Sequence, residues 1–205
     1  MSVTLHLAQE PEADALLGRS PLAALLGMLL DQQVPMEKAF SGPLVIARRM
    51  GGEELDAAAI AGYEPEAFGA LLSEKPAVHR YPGAMAKRVQ LLCQFLMEHY
   101  GGDAEAVWRG VGSGAELLDR LTALPGFGVQ KSQIFLALLG KQFGVRPEGW
   151  RAAAGAYGED GCHRSVADIT GPESLAEVRA YKQQAKAAAK KTAAVRNTTA
   201  PRRRT

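Results

Sequence analysis

Apolar residues recur at helical spacing through most of the chain, and nowhere do four to eight residues alternate between apolar and polar as a half-buried strand would. The pattern predicts an all-α protein. Ser20-Pro21 supplies a cap and a first-turn proline to a helix whose Leu22, Leu25, Leu26, Leu29 and Leu30 share one stripe. Val34 to Met50 reads as a second helix, broken or bent at Gly42-Pro43 and stopped by Gly51-Gly52. Glu64-Pro65 opens a third through Phe68, Leu71 and Leu72. From Gly83 onward Met85, Val89, Leu92, Cys93, Leu96 and Met97 keep the helical period as far as Tyr100-Gly101-Gly102. A short helix over Ala115 to Leu121, a tight turn over Leu124 to Gly128 and an apolar helix over Val129 to Leu139 follow. Phe143 to Thr170 is irregular with one helix after Pro147, Pro172 to about Lys191 is helix-prone, and Asn197 to Thr205 should fray.

With 205 residues, 47% of them hydrophobic, the chain is long enough to bury a substantial core. Its apolar runs, Pro21 to Leu30 and Ile134 to Leu139, fall short of the roughly 20 residues a bilayer demands, and no basic-then-apolar leader follows Met1. These features predict a cytoplasmic protein, taken as a monomer, with no membrane partner. Two cysteines, Cys93 and Cys162, cannot supply the four thiolates of an iron–sulfur cluster or a structural zinc site. His6, His79, His99 and His163 show no ligand spacing with acids or thiols, so no metal and no cofactor is expected.

The net charge of +2 conceals an asymmetry. Residues 180–205 hold eight of the 24 basic residues and none of the 22 acids, so that end carries +8 and residues 1–179 carry −6. A cationic arm on an acidic body holds polyanions by counterion release, irrespective of sequence; the alternative is a solvated end. Residues 191–205 are read as a basic flexible tail.

The most informative string is Leu124-Pro125-Gly126-Phe127-Gly128-Val129-Gln130-Lys131. Two glycines spaced by one apolar residue between helices let the backbone take positive φ and present amides, and the next helix begins there with its positive dipole end outward. Such a turn can hold a phosphate. Phe127 should point inward and pin the helices, while Lys131, in the first turn of the second helix, should reach the same phosphate.

Leu124 to Gly128 resembles the hairpin of the helix-hairpin-helix DNA glycosylase superfamily of base-excision repair, Leu-Pro-Gly-apolar-Gly, which docks DNA phosphates through backbone amides. Leu25 to Val34, read LLGMLLDQQV, is similar to the early helix of its alkylpurine branch, where an apolar helix runs into Gln-Gln and then Val or Ile. The resemblance spans roughly residues 20–150. It implies a two-lobed helix-hairpin-helix glycosylase-like fold: a six-helix lobe over about 20–135 carrying hairpin 124–131, a second lobe from 1–19 and about 145–190, and a base-receiving cleft between them.

The function so implied is a monofunctional DNA N-glycosylase that removes a damaged base from duplex DNA, without an iron–sulfur cluster; a monovalent cation at the hairpin is compatible with it. Bifunctional members carry a lysine at the hairpin's seventh position, here Gln130, which disfavours Schiff-base chemistry. Members that release bases use an aspartate about 18–20 residues beyond that position. No aspartate stands there; Glu148, eighteen residues on, is the substitute, with Asp160 and Asp168 as fallbacks should a loop be inserted. A carboxylate beneath the anomeric carbon stabilises a developing sugar cation or orients water. As a first-turn acid after Pro147, Glu148 also has a plain helical role.

Gln32 and Gln33, ending an apolar helix, line a base pocket, fill an intercalation gap or satisfy the helix end. Trp150, Tyr157 and Phe143 either stack a flipped base or pack as core, and His79-Arg80-Tyr81 forms a basic aromatic loop suited to backbone contact. Two other readings stay open: a non-catalytic helix-hairpin-helix module that recognises distorted duplex, and a helical scaffold that meets proteins.

Overall fold

The computed structural model describes residues 3–198. The side chains of Lys186, Lys190, Lys191 and Arg196 lie outside that description, as do residues 199–205, and with them the side-chain expectations for the basic tail. The chain is all-α, with no strand among the described residues; its one β-bridge joins Ser113 to Glu148. Among the described residues ten α-helices follow in order: α1 Pro11–Arg19, α2 Pro21–Leu30, α3 Met36–Arg49, α4 Ala57–Ala61, α5 Pro65–Ser73, α6 Pro82–Tyr100, α7 Gly114–Ala123, α8 Val129–Lys141, α9 Trp150–Ala154 and α10 Pro172–Thr198. No single helix among them is long and apolar enough to cross a membrane.

Local chemistry sets these boundaries. The Ser20 hydroxyl accepts from the Ala23 amide and Pro21 opens α2, while the Ser113 hydroxyl accepts from Glu116 at the start of α7. Gly101, at φ +60, ends α6 in the left-handed region that glycine enters without a Cβ penalty. α2 is buried along all but its first residue, against α1 and α3. α4 and α5 pack on α6, and the segment from α9 to Asp168 covers α7 and α8. One continuous apolar core runs from Leu5 to Val178.

Three sequence expectations change. α3 continues through Gly42-Pro43 without the break that was one of the two outcomes expected there: Pro43 and Gly42 are buried, and a Cβ at residue 42 would meet Leu30 Cδ1 at 2.6 Å. The lost amide at Pro43 is outweighed by packing against α2. The short α1 and α4 carry no strong periodic signal, and tertiary burial of Leu16, Leu17 and Ile60 makes them. α10 runs to Thr198, so residues 191–198 continue a helix rather than forming a tail.

Both cysteines are free thiols in contrasting settings. Burial in α6, with a smaller contribution from Asp56, pushes the Cys93 thiol up to about 12. Cys162 is half-buried, its Sγ 3.4 Å from Lys141 Nζ. Because the thiolate is the nucleophile, iodoacetamide at pH 8 is expected to alkylate the half-buried Cys162 and to spare Cys93, whose thiol is buried and held protonated. Peptide mass spectrometry of folded protein checks this; equal labelling of the two would contradict the buried placement of Cys93.

Candidate nucleic-acid interface

The hairpin sits where α7 turns into α8. Leu124 and Phe127 are buried, the Phe127 amide donates to the Leu124 carbonyl at 3.0 Å, and Gly126 takes φ +84. Gly128 does not share that conformation. Its φ of −84 and ψ of 169 are open to any residue, and a Cβ there would meet nothing within 4 Å. The expectation that both glycines serve positive φ therefore holds for Gly126 alone. Phe127 points inward, as its apolar character requires, with its ring edge-on to Phe135 of α8 at 6.0 Å.

Beyond the turn, Gly128, Val129 and Gln130 are exposed and α8 has no side-chain cap, so its first amides face outward without intrahelical acceptors. Pro125 borders them, half-buried. Gln130 donates to the Tyr157 hydroxyl at 2.8 Å, fixing both residues at the hairpin end of α8.

Lys131 departs from its expected role. Instead of reaching outward for a phosphate, its ammonium turns in and donates to the carbonyls of Met28 at 2.7 Å and Leu29 at 2.9 Å, passing over the Phe127 ring. A cation at the negative end of α2 satisfies carbonyls that the ending helix leaves open. Desolvation lowers its pKa to about 8, against the opposing pull of Asp31. Gly126 makes the same junction from the backbone side: a Cβ there would lie 2.5 Å from Leu29 Cδ1. The hairpin is thereby docked onto the C-terminus of α2.

That terminus gathers several residues distant in sequence. The Gln32 amide turns back to the Leu30 carbonyl at 2.7 Å, its side chain donates to Leu29 O at 2.8 Å, and its Oε1 accepts from Arg88 at 2.5 Å. Gln32 thus closes the helix end, one of its expected roles. Gln33 is exposed in the left-handed region at φ +58, a conformation that costs a non-glycine residue about 1–2 kcal/mol.

His79 also turns inward. Only 2% exposed, it accepts from the Tyr81 amide through Nδ1, which leaves Nε2 to donate to the Gln32 carbonyl at 2.8 Å. Desolvation, with smaller contributions from Lys38, Arg88 and Lys131, lowers its pKa and keeps the ring neutral; the Gln32 hydrogen bond opposes. His79 is therefore a buried brace rather than an exposed contact. Arg80 remains outside, its guanidinium 5.3 Å from the ring of Tyr81, which is 46% exposed.

The three carboxylates read from the sequence lie elsewhere. The Glu148 carbonyl accepts from Gly114 at 2.7 Å, at the start of α7, while its exposed side chain has no partner among the described residues. Trp150 covers Gly140 near the end of α8, and the chain then returns past Ala153, beside Gln133, to Tyr157 at Gln130. Glu148 and Gln130 thus sit toward opposite ends of the α7–α8 pair, about 15 Å apart at helical rise. Asp160 pairs with Arg151 at 2.6 Å, which holds its carboxyl below the usual value. Asp168 is buried, bonded to Lys141 at 2.6 Å and to the amides of Arg164 and Ser165, a structural anchor at the α8 C-terminus. Trp150 is 6% exposed beneath Arg151, hence core rather than pocket wall.

Sequence reasoning passed over Asp31, which caps α2 between Leu30 and Gln32. Its signal was visible: an acid directly after an apolar helix, where the dipole favours a cation. Burial raises its pKa, opposed by Lys182 and Lys131 and reinforced by Glu37. Among the described residues, no three His, Cys, Asp or Glu side chains converge as a metal-ligand set. Comparison of the chain with protein-family models and with curated proteins finds no match.

Proposed function

We propose that the chain binds duplex DNA through its hairpin and acts in base-excision repair as a monofunctional N-glycosylase, hydrolysing the bond between a damaged base and its sugar without cutting the strand. One observation carries the reading. The open amides of α8 lie beside the α2 terminus, locked to it by the Gly126–Leu29 packing and the Lys131 bonds. The amides supply a sequence-independent grip on phosphate. At the α2 terminus Lys131 and Lys182 act on Asp31, and Lys38 and Arg88 on His79, so positive charge gathers there on an otherwise acidic body. The residues 191–205 add further cations, and their removal is expected to flatten the slope of log affinity against log salt by up to about 4.

The test is a set of duplex oligonucleotides bearing alkylated, oxidised or deaminated bases. Expected are binding, base release revealed as strand scission only after alkali, and no borohydride-trapped adduct, because Gln130 replaces the lysine and the Lys131 ammonium is held on two carbonyls. A trapped adduct lost in Lys131→Gln would overturn the monofunctional assignment. Binding without release of any lesion would support a non-catalytic module that recognises distorted duplex, the reading favoured by the distance of Glu148, Asp160 and Asp168 from the hairpin. Absence of binding would sink both.

A further inference from the structure

Asp31 occupies a costly place. Asp31 stands at the C-terminal, negative end of α2, in a half-buried setting, and its carboxylate has no hydrogen-bond partner among the described residues. It stands one residue from Gln32, whose backbone and side chain are held by His79 and Arg88, and two from the left-handed Gln33. The Lys131 contact to the preceding turn fixes this corner against the hairpin. An acid without a hydrogen-bond partner stands here on a braced, strained turn, and its burial costs more than the nearby Lys131 and Lys182 return, so stability does not explain it.

Resting on the glycosylase reading above, we propose that Asp31 is the catalytic carboxylate, placed to meet the sugar of a nucleotide whose phosphates lie on the hairpin. As the C1′–N bond breaks, its electron pair leaves with the base and the developing sugar cation faces the Asp31 carboxylate. A water oxygen then bonds to C1′, its proton passes to Asp31, and Asp31 gives that proton to the departing base nitrogen. One water is consumed and no other reactant is needed. The charged groups around Asp31 are Lys131 from α8, Lys182 from α10 and Glu37 from α3, with Arg88 of α6 beyond Lys131. Glu37 is itself bonded to Arg179, and His79 stays neutral. The raised pKa of Asp31 suits a group that must accept a proton and release it again.

Asp31→Asn is the isosteric test. The variant is expected to bind lesion duplex within about twofold of the parent by fluorescence anisotropy, while base release falls by about a hundredfold or more. Its thermal midpoint should equal or exceed the parental one, because the buried charge is gone; a merely structural role would lower it. Asp31→Glu should keep part of the activity. The parental rate should fall on the acid side at a pH above the ordinary carboxylate range, and that limb should move in Asp31→Glu. Parental base release by Asp31→Asn would overturn the assignment, as would loss of release in Glu148→Gln with Asp31→Asn still active. A parent protein that releases no base from any lesion would instead sink the underlying function, so the two failures are told apart by the parent alone.

Discussion

Gly126→Ala is expected to lose about 2–4 kcal/mol of stability and to bind duplex DNA poorly even where it remains folded. Two independent costs act together. At φ +84 an L side chain is strained, which costs about 1–2 kcal/mol. The new methyl would also lie 2.5 Å from Leu29 Cδ1, so the leucine must leave its packed position, for about another 1–3 kcal/mol. At about 2–4 °C per kcal/mol for a chain of this size, the melting midpoint should drop by roughly 5–15 °C. Displacing Leu29 also disturbs the carbonyl that receives Lys131, so the hairpin loses its seat on α2. Gly128→Ala separates stability from binding. Its backbone is extended and its surroundings are open, so its midpoint should match the parent within about 0.5 kcal/mol. Any loss of affinity in that variant reports crowding of the exposed amides by the methyl. Thermal melts with fluorescence anisotropy on both variants decide the matter; a Gly126→Ala protein as stable as Gly128→Ala would contradict the docking of the hairpin on Leu29.

The contrast between these glycines shows where sequence reading stops. A Gly-apolar-Gly turn between helices is legible as a hairpin, and the inward Phe127 follows from polarity alone. Which glycine needs its missing Cβ depends on Leu29, almost a hundred residues earlier, and no local pattern encodes that contact. The long helices were legible for the same local reasons, since Ser20-Pro21 and Gly101-Gly102 punctuate them chemically. Pro43 does not break its helix, because a proline penalty of about 3 kcal/mol is a property of an isolated helix, whereas α3 is packed on Leu30 and Val78. Position was not legible for the carboxylates. Eighteen residues beyond Gln130 leads along α8 and into a loop paired with Ser113, and only the tertiary fold places Glu148 toward the other end of the α7–α8 pair from the hairpin. Asp31 has no motif of its own beside Gln32-Gln33, and its signal is only that an acid directly after an apolar helix opposes the helix dipole.

Lys131→Met is expected to destabilise the protein by about 2 kcal/mol at pH 7 and by more at pH 10. Methionine fills the volume of the aliphatic stem but leaves the Met28 carbonyl without its donor, for which about 1–3 kcal/mol is typical. Leu29 O keeps the Gln32 side chain, so that loss is smaller. Asp31 also loses a neighbouring cation. Opposing these terms is the cost of burying the ammonium, which is what lowers the Lys131 pKa to about 8 from 10.5. Between those two values the unfolded chain still holds a proton that the native protein has released, so parental stability rises with pH across that window. The neutral amine keeps donating to the carbonyls once the buried charge is gone. The full linkage, about 3 kcal/mol at 1.36 per pH unit, is cut by partial solvent access to about 2. Methionine cannot titrate, so the gap between parent and variant should widen from pH 7 to pH 10, whereas exposed lysines and tyrosines contribute equally to both proteins. Urea midpoints of the pair at the two pH values measure it. A gap that stayed constant or narrowed would mean that the ammonium is solvated and reaches outward to a phosphate after all, the role its place in the first turn of α8 first suggested.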